Sequence, residues 1–112
     1  MGARSMSNTR PQSEIYREAA MRWADLDAAA RMLEEGKGAV LAQRMNQCGD
    51  MPVSKAEMSV KGSEFWADYI KKMVRAKTEA NKARIEMEFT KMQAWERNSA
   101  EAYERTEMRM AR

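Results

Sequence analysis

From Ser63 to Met110 the sequence contains neither glycine nor proline, and strong helix formers dominate the stretch. Nothing in it can turn the chain, so the spacing predicts one helix over about 63–110. At 1.5 Å per residue that is a rod of roughly 70 Å. Gly62-Ser63-Glu64 supplies its start signal. With 5 glycines and 2 prolines in 112 residues, a turn-rich β sandwich or barrel is excluded. The length suits one domain and no more.

A second helix is legible upstream. Ser13 is an N-cap candidate, and Glu14 suits the positive end of the helix dipole. Tyr16, Ala19, Trp23, Leu26, Ala30 and Leu33 then follow at gaps of three and four, and Val40 and Leu41 resume the stripe. Gly36 and Gly38 interrupt it, as a bend or a close helix approach would. Gly49 and Pro52 end it, which gives a helix over about 13–47. Its length is about 50 Å, so the longer helix must overhang it or lean on something else. A short helix is expected at about 53–60, and residues 1–12 read as a polar, flexible tail ahead of a single domain over 13–112.

The long helix carries two apolar stripes. Trp66, Tyr69, Met73, Ala76, Ala80, Ala83 and Met87 form a seam whose central alanines permit close approach. Ile85, Phe89 and Met92 form another, rotated by roughly 160°. A two-helix hairpin has a single inside. The second stripe therefore predicts self-association, with Ile85, Phe89, Met92 and Trp95 between subunits. The alternative is that Phe89 and its neighbours fold against the tail or the middle segment.

Net charge is +3 and the calculated pI is about 9.2. Six cations (Lys71, Lys72, Arg75, Lys77, Lys82 and Arg84) stand against Glu79 alone between residues 71 and 84. Lys71, Arg75 and Lys82 project within about 40° of one another, opposite the first seam. Such a ridge suits phosphates, with binding that weakens steeply in salt; an ordinary solvated helix face has the same composition. No aromatics interleave with it, so base stacking is not indicated.

Chemistry is poorly provided for. Without histidine, and with Cys48 alone, the chain has no His-based triad, intramolecular disulfide or usual zinc site. Glu86 and Glu88 point to different helix faces, and no phosphate loop or nucleophile elbow is present. A non-enzymatic protein with no cofactor and no metal is expected. There is no apolar run of membrane-spanning length, and Gly2-Ala3-Arg4-Ser5 opens no secretory signal. Cytoplasmic localisation is the expectation.

One order of features carries a family resemblance. Glu18-Ala19-Ala20 lies early in the first helix, whose later part reads Leu33-Glu34-Glu35-Gly36-Lys37-Gly38-Ala39-Val40-Leu41-Ala42-Gln43-Arg44-Met45. A glycine-bearing loop, Lys55-Ala56-Glu57-Met58-Ser59-Val60 and a long helix follow. Over about residues 16–90 this resembles the UvsY-type recombination mediators of tailed phages. The resemblance implies a small helical protein that oligomerises, binds single-stranded DNA and helps to load a recombinase onto strands covered by single-stranded-DNA-binding protein. It also implies a Lys-x-Arg pair at the DNA near the end of the first helix. Arg44 matches the arginine, and Ala42 stands in the lysine's place.

The expected architecture is all-α: a long antiparallel helical hairpin with a short intervening helix, coiled-coil-like and oligomeric. The expected function is that of a phage accessory protein in DNA recombination or replication. It would bind single-stranded DNA through Arg44, Lys71, Lys72, Arg75 and Lys82, together with a recombinase or another host or phage protein. Two alternatives stand beside it: a small phage interaction module that inhibits a host nuclease or defence complex, and a structural coiled-coil adaptor.

Overall fold

The chain is all-α in a computed structural model, which describes residues 10–111. Three helices follow in order: α1 (Gln12–Asn46), α2 (Val53–Lys61) and α3 (Glu64–Met110). Most of the expected tail, residues 1–9, lies outside the described residues. Its last residues do not read as loose chain, since Gln12 is already helical and Arg10 forms an ion pair with Glu18.

The helix boundaries follow from local chemistry. Ser13 is not the N-cap of α1; it lies inside the first turn. The Pro11 carbonyl accepts from the Glu14 and Ile15 N–H groups at 3.0 and 3.3 Å. Proline has a fixed φ and no N–H to leave unsatisfied, so it suits this boundary. At the far end, Gln47 and Cys48 donate to the Arg44 and Met45 carbonyls in tightened turns, and Gly49 then takes φ +74°. Ser63 serves two helices at once. Its hydroxyl donates to the Val60 carbonyl at 2.5 Å and accepts from the Trp66 N–H at 3.2 Å, closing α2 and capping α3.

The helices contribute to two compact units, Ala24–Asn81 and the remainder. Within Ala24–Asn81, α1 and α3 run antiparallel. The Tyr69 hydroxyl donates to the Leu33 carbonyl at 2.5 Å, and Lys77 pairs with Glu34 at 3.0 Å. Ala30, Ala56, Val60, Trp66 and Ala80 are buried, so alanines on facing helices form much of the core. Trp66 stacks on Tyr69 with ring centroids 5.7 Å apart. Gly36 marks a close approach, because a Cβ there would lie 3.7 Å from the Tyr69 hydroxyl; Gly38 faces open space.

In the other unit, Ala83 and Thr90 are buried. Tyr16, Ala19 and Trp23 of α1 and Met87 of α3 are half-buried. Thr90 donates to the Met87 carbonyl at 2.7 Å, which satisfies its hydroxyl without a partner from elsewhere. The Trp66-to-Met87 seam is thus the inward face of α3. Ile85, Phe89, Met92 and Trp95 are 61%, 52%, 58% and 69% exposed among the described residues, and residues 1–9 of the tail lie outside them. No large side chain among the described residues is buried to below 2% exposure. The core is thin.

Candidate nucleic-acid interface

The basic residues of Ala24–Asn81 differ in how far their neighbours claim them. Lys71, Lys72 and Arg75 are exposed on α3 and enter no ion pair among the described residues. They stand on a helix whose other side is pinned by Trp66, Tyr69 and Ala80. A helix held in this way keeps the Cα positions of its cations fixed, while their long side chains stay free to follow a phosphate backbone. Lys77 belongs to the same run of sequence but is tied to Glu34 across the helix pair.

Arg44 has a different setting. It is half-buried, with its guanidinium 3.5 Å from the centre of the Phe65 ring. A cation over an aromatic face is attracted by the ring quadrupole, which helps to hold the guanidinium in place. The Cys48 thiol donates weakly to the Arg44 carbonyl at 3.5 Å. A shallow cavity of about 270 Å³ lies here, lined in part by Arg44, Cys48, Val60, Ser63 and Phe65. Lys37 lies 5.9 Å from the Trp66 ring centre. The sequence does not reveal either cation–aromatic pair, since each joins residues from different helices.

In the other unit, Lys82 is exposed but already engaged by a neighbour, and Arg84 is exposed. A larger groove of about 740 Å³ lies beside the start of α1, where Arg10, Tyr16, Lys91 and Arg97 converge with Glu101. Its cations are largely answered by carboxylates. Arg10 pairs with Glu18, and Arg97 lies 3.6 Å from Glu101. Periodicity gives no sign of this groove, because Arg10 and Pro11 precede the first apolar stripe and read as tail.

Among the described residues, no group of three or more potential ligands could hold a metal ion. No helix among them is long and apolar enough to cross a membrane. Comparison with known protein families, curated proteins and solved structures finds no match for this chain.

Proposed function

We propose that the protein is a non-enzymatic accessory factor of phage DNA recombination or replication, resembling the UvsY-type mediators. In this reading it self-associates through Ile85, Phe89, Met92 and Trp95, and binds single-stranded DNA together with a recombination protein. The observation that carries the DNA part is the unpaired, exposed group Lys71, Lys72 and Arg75 on a pinned helix. The contacts would be to phosphates and largely independent of sequence. Arg44 on Phe65 and Lys82 in the other unit are secondary contacts in this account. Repetition of a weak site in an oligomer raises affinity without any new contact, so a net charge of only +3 is compatible with binding.

Fluorescence anisotropy with a labelled oligonucleotide tests this reading. Binding at low salt is expected. Lys71→Ala with Arg75→Ala should weaken it and flatten the salt slope by roughly 1.4, about 0.7 for each phosphate left without its cation on a single strand. No binding at low salt overturns the DNA reading.

A second reading is favoured by a different surface. Met32, Val53 and Met58 are 75%, 73% and 76% exposed in Ala24–Asn81. Exposed methionines adapt to a partner's surface, as an interaction module directed at a host nuclease or defence complex would require. Pull-down from a host lysate with Met58→Lys as the control separates that reading from the first.

A further inference from the structure

The exposed stripe of α3 does not end at Trp95. Tyr103 and Met110 are 66% and 82% exposed. With Ile85, Phe89 and Met92 they fall on a single run of alternating gaps of four and three, the spacing of a heptad seam. Glu96, Ser99 and Thr106 fill its remaining places. At about 100° per residue this seam lies opposite Ala83 and Met87, the side of α3 that faces α1. Its apolar members are all exposed among the described residues. A heptad seam of this length, roughly 38 Å at 1.5 Å per residue, is built to receive another helix.

We propose that the occupant is α3 of a second copy, running antiparallel, in a two-fold pair centred between Arg97 and Asn98. This rests on the self-association in the proposed function and adds the partner, the orientation and the register. The seam is self-complementary in that arrangement. Glu96 of one copy meets Ser99 of the other, so the hydroxyl can donate to the carboxylate. Phe89 meets Thr106, Met92 meets Tyr103, and Ile85 meets Met110. On one flank Glu88 comes opposite Arg109 and the large Trp95 opposite the small Ala102. The other flank brings Glu86 towards Glu107, a like-charge contact at an open rim that salt screens. A parallel pair sets Glu96 against Glu96 inside the seam, two carboxylates with no counter-charge between them, and aligns the helix dipoles unfavourably.

The two-fold pairing makes a distance prediction. In an antiparallel pair the two copies of residue 106 are about 26 Å apart along the axis, whereas residue 106 of one copy adjoins residue 89 of the other. Three full-length proteins are needed, all carrying Cys48→Ser: one unchanged elsewhere, one with Thr106→Cys and one with Phe89→Cys. Each is sized by sedimentation velocity, then mildly oxidised alone and in the Thr106→Cys and Phe89→Cys mixture. The expected result is a dimer in which Thr106→Cys alone stays unlinked and the mixture forms a disulfide-linked pair. Met92→Cys mixed with Tyr103→Cys should repeat the pattern one layer further in, which guards against local damage at position 89.

Self-linking by Thr106→Cys means a parallel pair and overturns the orientation. A larger species that forms neither link means that another surface makes the assembly; the inference fails while self-association stands. A single 12.9 kDa species at micromolar concentration overturns both.

Discussion

At the scale of single residues, the contacts that fix α1 on α3 within Ala24–Asn81 are few enough to test one at a time. Tyr69→Phe removes the hydroxyl that donates to the Leu33 carbonyl and leaves the stack on Trp66 in place. A loss of about 1 kcal/mol is expected in urea unfolding; unchanged stability would mean the bond adds nothing. Gly36→Ala should act in the opposite direction. The new methyl would meet the Tyr69 hydroxyl at ordinary contact distance, and α1 would lose a glycine from its interior. A gain of roughly 0.5–1 kcal/mol is expected, and destabilisation would show that the helices cannot absorb the methyl. Ser63 is legible as a cap because a hydroxyl before an acidic residue and an apolar run is a local signal. Ser13 misleads because Pro11, two residues earlier, sets the boundary. Lys77 and Arg44 cannot be sorted from their neighbours in sequence, since Glu34 and Phe65 reach them only through the pairing of helices.

At the scale of elements, α3 is two things in sequence. Its first part presents Trp66, Ala80 and Ala83 inward, and small residues there let the helices approach closely. Ala80→Leu should cost about 1–3 kcal/mol by overpacking, measured by thermal or urea unfolding; a neutral result would mean that the helices are not in close contact at that position. From Trp95 to Ala111 every residue is exposed. Arg97 and Glu101 still line the groove beside the start of α1, but the turns beyond Glu101 are a short helical end of the kind that is marginal in water. Hydrogen exchange should therefore find its amides poorly protected at high dilution and protected as concentration rises. Protection that does not depend on concentration would contradict the view that this segment waits for a partner helix. The two-face pattern of α3 is readable from periodicity alone, because it requires only helical geometry. Which face turns inward is not, since both are apolar and only the alanine-lined approach of α1 decides between them.

At the scale of the whole molecule, the thin core and the uncovered face of α3 have a common physical consequence. Apolar area left in water by one copy is available to stabilise an assembly, at about 25 cal/mol for each Å² removed from solvent before the costs of association. The exposed cations Lys71, Lys72 and Arg75 are multiplied by any such assembly. The DNA reading and the assembly reading are thereby linked: a variant that cannot assemble should lose more affinity for a long oligonucleotide than for a short one. Sedimentation velocity of the full chain, compared with Phe89→Glu over the same concentration range, decides whether the exposed face of α3 drives assembly. A species of at least twice 12.9 kDa is expected, and Phe89→Glu should shift it to the single-chain mass without loss of helix. A single-chain mass for the unaltered protein at every micromolar concentration would contradict assembly through that face.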